Sequence, residues 1–140
     1  PLGAHTIGVA KCSTFNQRIG ANHRIDLHVN MSFWLELVRQ CKPFKVNDEY
    51  HVPLDDASVE VFDNSYYKDL VQARGLLATD EAIMNDTTTK SLVQQYANNQ
   101  DLFFEGFKRS MIKMSNINVL TGDEGEIRIN CSLQNSRLIK

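Results

Sequence analysis

The sequence is short of the features that would place it outside ordinary globular proteins. It has no excess of positive charge: 15 Lys and Arg stand against 17 Asp and Glu, for a formal net charge of -2. No basic patch or block of like charge interrupts the chain, which argues against nucleic acid as a partner. Long apolar runs are missing too. The longest, such as "SFWLELV", falls far short of the roughly 20 residues needed to span a bilayer, so the reading is no membrane. No cationic segment followed by an apolar stretch marks a leader peptide. The first residue is Pro, and the chain is therefore read as a processed product or a fragment. Proline is scarce at three residues, and no repeat or low-complexity segment is visible. Cysteine is sparse and odd in number: Cys12, Cys41 and Cys131. In an oxidising compartment, an odd count leaves one thiol needing an outside partner.

What is present describes one domain over residues 1–140, with 42% hydrophobic residues. A chain of this length buries roughly 70% of its unfolded surface when it forms a complete domain. Three glycosylation triplets, starting at Asn30, Asn85 and Asn130, lean toward secretion.

The periodicity reads as mainly α, without βαβ alternation. A helix is expected over Phe33–Cys41, capped by Ser32, with Trp34, Leu37, Val38 and Cys41 on one face. Residues 42–62 read as mostly loop, in which "FKVNDEYHV" alternates weakly enough for a short strand pair. Asp63 or Asn64 caps a second helix carrying Tyr66, Tyr67, Leu70 and Val71, and Gly75 sits where its C-terminal stop belongs. "DTTTKSLVQQYANN" reads as a helix capped by a Thr. "QDLFFEGFKRSMIKMSNI" places Phe103, Phe107, Met111 and Met114 at helical spacing, a stripe that reads as core packing rather than a cofactor box. Gly106 weakens that helix by about 1 kcal/mol relative to Ala. "LTGDEG" is a turn, and only "EIRI" stands out in the irregular last twenty residues.

Some residues invite chemical readings on their own. His5, alone in a short polar segment, reads unaided as a surface or hydrogen-bonded residue. Asp80 reads as an N-cap ahead of "EAIM", and "DD" at 55–56 as an acidic solvated loop. A zinc site from Cys12, His28, Cys41 and His51 is conceivable, but it lacks the closely spaced ligand pair of structural zinc sites. His23, His28 and His51 suggest no role.

Taken in order, "GAHTIG" followed by Cys12, then "FDNSYYKDL", "GLLATD" and "FKRSMIKMSNINVLTGDEGEIRINC" resemble the secretory plant peroxidases, the class III haem peroxidases. The resemblance runs from Gly3 to about Asn135 and is to the C-terminal, proximal half of a protein about twice this length. It implies an all-α haem-peroxidase fold with a minor β pair. It also implies haem b and Ca²⁺ as cofactors, and a secreted location in the cell wall or vacuole.

The resemblance gives His5 the role of axial ligand to the haem iron, with the sixth position open for peroxide. Small neighbours suit close approach of a flat macrocycle. Asp80 becomes the carboxylate that accepts from the other imidazole nitrogen, as a ligating His requires. Lys11 falls where relatives often place a residue reaching a haem propionate. Thr6, Asp55, Ser58, Val61 (through its carbonyl) and Asp63 match the family's proximal calcium loop, a set of oxygens that suits the ion. Cys12 and Cys41 align with a family disulfide, whereas the family partner of Cys131 lies in the distal half.

The chain departs from the family in several ways. Only Pro-Leu precedes Gly3, so His5 is expected near a frayed terminus. "CKP" replaces a direct Cys-Pro, and the loop from Ile19 to Asn30 is unusual. The distal half, with the His and Arg that work on peroxide, is missing. The implied activity of the parent protein is oxidation of phenolic donors by hydrogen peroxide in one-electron steps. The competing reading is a truncated, non-enzymatic remnant that binds haem or calcium without turnover.

Overall fold

The computed structural model describes residues 4–20, 29–41 and 50–135. The fold is mainly helical, with one small sheet. In chain order the elements are strand β1 (Val9–Lys11), a 3-10 turn (Cys12–Phe15), helix α1 (Met31–Cys41), strand β2 (His51–Pro53), then helices α2 (Ser65–Val71), α3 (Ala78–Ala82), α4 (Thr87–Asn98) and α5 (Gln100–Ser115).

Of the 44–52 stretch, residues 44–49 lie outside the described residues. Its end forms β2, which pairs antiparallel with β1, Ala10 opposite Val52. The partner comes from the start of the chain, where only three residues alternate and no local pattern announces a strand. His23 and His28 also lie outside the described residues.

Helix α1 starts earlier than expected. Asn30 Oδ1 accepts the N–H groups of Ser32 at 3.0 Å and Phe33 at 3.3 Å, so Asn30 does the capping and Ser32 sits inside the helix. The buried face carries Phe33, Leu37, Val38 and Cys41. Trp34 is turned aside, and its indole N–H donates to the Arg18 carbonyl at 3.2 Å. For α4 the cap is Asp86, which accepts from the Thr88 and Thr89 N–H groups, and no Thr plays that part. A carboxylate serves better there, because it also meets the positive end of the helix dipole.

Asn64 occupies the cap position of α2 without capping it. Its side-chain amide donates to the carbonyls of Tyr96 and Ala97, each at 2.9 Å, and ties α2 to the end of α4. Asp63 Oδ1 instead accepts the Ser65 N–H at 2.8 Å. Gly75 is not the stop of α2. The helix ends at Val71, and just beyond it Ala73 takes a left-handed conformation at φ 58°. Gly75 is a point of close packing: its N–H donates to Glu81 Oε1 at 2.8 Å and its carbonyl accepts from Arg18 at 2.6 Å.

Two apolar clusters make the core. One gathers Phe15, Phe33, Leu37, Cys41, Val52 and Leu76 around the ribbon and α1. The other gathers Tyr66, Tyr67, Leu70, Val93 and Phe103 where α2 meets α4 and α5. Phe62 extends the second cluster, its ring 4.8 Å from Phe107 and 5.1 Å from Phe103. The stripe on α5 divides: Phe103 is buried and Phe107 partly so, but Met111 and Met114 are exposed. Only the first turns of α5 meet the second cluster. "LTGDEG" does turn, with Gly122 and Gly125 at positive φ, while "EIRI" forms no strand among the described residues.

Cys12 and Cys41 form a disulfide across 29 residues, with Cα atoms 5.7 Å apart. That pairing removes the zinc reading, because disulfide sulfurs are no longer thiolate ligands. Closing a loop of this length contributes about 3 to 4 kcal/mol in the chain-entropy account. Cys131 is a free, exposed thiol. Among the described residues, no helix is long and apolar enough to cross a membrane.

Candidate functional site

The site is built on an irregular segment, residues 4–8, that leads into β1. Two backbone bonds lash this segment to the loop after β2: Gly8 N–H to the Val59 carbonyl at 3.1 Å, and Leu54 N–H to the Gly8 carbonyl at 3.0 Å. Gly8 has φ 102°, which a side chain would strain. His5 is therefore held rather than frayed.

The His5 ring places Nδ1 2.9 Å from Asp80 Oδ1, across 75 residues of sequence. A carboxylate only accepts, so Nδ1 is the donor, and in the neutral imidazole Nε2 then keeps the lone pair. The imidazole is about one-third exposed, whereas Asp80 is 1% exposed. Asp80 lies in the first turn of α3, whose cap position is Leu77, so it is not an N-cap. Tyr66 packs edge-on to the His5 ring at 6.2 Å between centroids and fixes its plane from a second direction.

Thr6 turns the opposite way, into a cluster of oxygens. Its hydroxyl donates to the Asp63 carbonyl at 2.8 Å and lies 3.5 Å from both Asp55 Oδ2 and Asp63 Oδ1. Ser58 Oγ is 3.3 Å from the same Asp55 oxygen. Thr6 and Asp55 are fully buried. The other Asp55 oxygen accepts the N–H groups of Ala57 and Ser58 and shapes the loop. Val61 stands at the rim with an exposed side chain, its N–H donating to the Ser58 carbonyl at 2.9 Å. Burial alone would raise the Asp63 carboxyl. The Ser65 N–H, the hydroxyls of Ser58 and Ser65 and the charge of Lys68 outweigh it and hold the group below the usual carboxylate range.

Two carboxylates, two hydroxyls and the Asp63 carbonyl gathered in this way suit a hard cation such as calcium. They do not suit a metal that needs three His, Cys or acidic side chains, and among the described residues no such group exists. Lys11 is exposed in β1, opposite His51.

Sequence reasoning passed over two neighbours. Arg74 pairs with Asp56 and lies 3.8 Å from Glu36, with its guanidinium 4.7 Å above the Phe33 ring. It latches α1 to the oxygen-lined loop. Asp69 has its carboxyl pushed up to about 6, by burial first and then by the negative charges of Asp55 and Asp56, against the pull of the Asp56 N–H and Arg74. No local pattern marks either residue, because both act through segments distant in sequence.

Residues 2–99 match the peroxidase family. The chain belongs to that family. Its relatives include Peroxidase 49 of Arabidopsis thaliana, 42% identical over 96% of this chain and 41% of the relative. Peroxidase 2 of Hordeum vulgare is 40% identical over 97% of this chain and 79% of the relative. A wheat protein named Peroxidase is 40% identical over 96% of this chain and 42% of its own length. The chain thus spans about two-fifths of the length of the Arabidopsis and wheat relatives. Membership in a plant peroxidase family agrees with the mainly helical fold, the minor β pair and the Cys12–Cys41 bond.

Proposed function

We propose that this chain supplies the iron-ligating, proximal side of a haem peroxidase that uses hydrogen peroxide to oxidise phenolic donors. The observation that carries this reading is the His5–Asp80 bond. It orients the ring, fixes the proton on Nδ1 and presents the Nε2 lone pair on a partly exposed side chain. These are the properties a haem ligand needs. Asp80 draws on the ring proton and makes His5 a stronger donor to the iron. Haem b, when bound, supplies the redox chemistry with peroxide. Lys11 serves as a contact for a haem propionate.

Calcium belongs to the second half of the proposal, held by Thr6, Asp55, Ser58, Asp63 and the carbonyl of Val61. Because Thr6 follows His5 directly, a cation there restrains the ligand. The remaining partner is the distal half of the fold, which brings the acid–base groups for peroxide. The apolar residues Ile112, Ile117, Leu120, Ile127, Ile129 and Leu133 are all exposed and offer it a surface. A secreted location is part of the proposal, supported by the plant peroxidase relatives and the disulfide.

The same exposed face favours a second reading, in which the chain binds haem or calcium without turnover. Titration with hemin, followed by a peroxide and phenol assay, separates the two. The expected result is a defined axial-imidazole spectrum that His5→Ala abolishes and Asp80→Asn alters less, with turnover near that of hemin plus imidazole until the distal half is supplied. Acid–base and electrostatic assistance are together worth at least about 10⁴-fold. Rapid turnover by this chain alone, insensitive to His5→Ala, overturns the proposal.

A further inference from the structure

The His5–Asp80 bond uses only one oxygen of the Asp80 carboxylate. The second, Oδ2, is buried and has no hydrogen-bond partner among the described residues. The hydroxyl of Tyr66 is in the same condition. Burying two such groups without partners costs free energy, which a mutual contact would recover. The Tyr66 ring stands edge-on to His5, 6.2 Å away, and so belongs to the same small enclosure.

We infer that Tyr66 is a positioning residue for His5: its phenolic O–H donates to Asp80 Oδ2 and so sets how strongly Asp80 pulls on the His5 ring proton. The consequence for iron rests on the proposed role of His5, but the contact itself does not. Three observations converge. The two atoms are complementary, one a donor and the other an acceptor-only carboxylate oxygen. Tyr66 is 1% exposed and Asp80 is 1% exposed, so water does not compete freely for either. Both side chains meet the same His5 ring, Tyr66 edge-on at 6.2 Å between centroids and Asp80 through Oδ1 at 2.9 Å.

The effect on His5 has a definite sign. A carboxylate that accepts a second hydrogen bond spreads its charge, and its other oxygen becomes a weaker acceptor. Tyr66 therefore moderates the Asp80–His5 bond. Without the hydroxyl, the His5 proton is drawn further toward Asp80.

The test uses the metal-free protein with ¹⁵N-labelled histidine and reads the Nδ1-bound proton of His5 by NMR. Tyr66→Phe keeps the ring and its packing and is expected to move that resonance downfield. Tyr67→Phe removes a neighbouring buried hydroxyl and is expected to leave it in place. In an Asp80→Asn background the amide nitrogen cannot accept from a phenol, so Tyr66→Phe is expected to have no further effect. If Tyr66→Phe folds poorly, 3-fluorotyrosine at position 66, a stronger donor, is expected to move the resonance upfield. With hemin bound and reduced, the iron–imidazole stretching frequency is expected to rise in Tyr66→Phe. An unmoved resonance in the metal-free protein overturns the inference, as does a shift that persists unchanged in Asp80→Asn. Failure of hemin to bind through His5 counts against the proposed function alone, because the metal-free measurement does not involve it.

Discussion

The hydroxyl of Thr6 and the carbonyl of Asp63 are 2.8 Å apart, though 57 residues separate them. Through this contact, whatever occupies the oxygen cluster acts on the residue next door, His5. Calcium removal is therefore expected to speed amide exchange in both 5–8 and 55–63. Asp63→Ala is expected to reproduce that effect and to weaken calcium binding by at least about tenfold. Hydrogen exchange with and without chelator checks this, and identical exchange in both segments would contradict the calcium assignment.

The disulfide offers a second test. Non-reducing peptide mapping is expected to recover Cys12 joined to Cys41 and Cys131 open to thiol reagents. Cys12→Ala with Cys41→Ala is expected to lower stability by about 3 to 4 kcal/mol, measured by denaturant unfolding.

Asp69 gives a pH signature. Its folded carboxyl is raised to about 6 from an ordinary 3.8. The folded state thus binds this proton more tightly than the unfolded state does. The resulting stability is present below the unfolded value and is lost as pH climbs through about 6. Asp69→Asn is expected to be more stable than the parent above pH 6, by about 1 kcal/mol once solvent screening of this partly buried group is allowed for. Calcium is expected to shrink the difference by offsetting the charge of Asp55. Unfolding curves at pH 4.5 and pH 7.5 that show the same gap would refute it.

Gly75 is a packing test. A Cβ there meets Leu70 Cδ2 and Glu81 Oε1, each at 2.7 Å. Leu70 is 1% exposed and has little room to yield. Gly75→Ala is expected to cost about 1 to 3 kcal/mol, read as a lowered thermal midpoint. A neutral result would show that α2 and α3 are freer to separate than their packing implies.

The helices were legible because 3.6-residue periodicity is a local signal. Their caps are less so, since Asn30 and Asp86 compete with nearby Ser and Thr residues of similar chemistry, and Asn64 holds the cap position of α2 without capping it. The α5 stripe looked continuous through Met114 because periodicity identifies a face but not how far along the helix its partner extends. The strand pairing was illegible for a different reason: Lys11 and His51 are 40 residues apart, and three-residue strands carry little pattern. In the site, His5, Asp80 and the oxygen cluster were found only through the family resemblance, since taken alone each reads as an ordinary polar residue. Tyr66 is legible only as a residue of the second helix, since its closeness to His5 arises from the fold.

The nesting of the Cys12–Cys41 link inside the β1–β2 pairing has a consequence for the order of assembly. Once the link forms, the path from Lys11 to His51 shortens from 40 residues to about 11: one step to Cys12, across the sulfurs, and ten from Cys41. Loop-closure entropy then favours the ribbon by about 1 kcal/mol more than in the reduced chain. The ribbon is also the strut that brings residues 4–8 against the loop carrying Asp55 and Asp63. The oxidised chain thus closes the ribbon more readily, and the reduced chain should bring residues 4–8 against that loop more slowly.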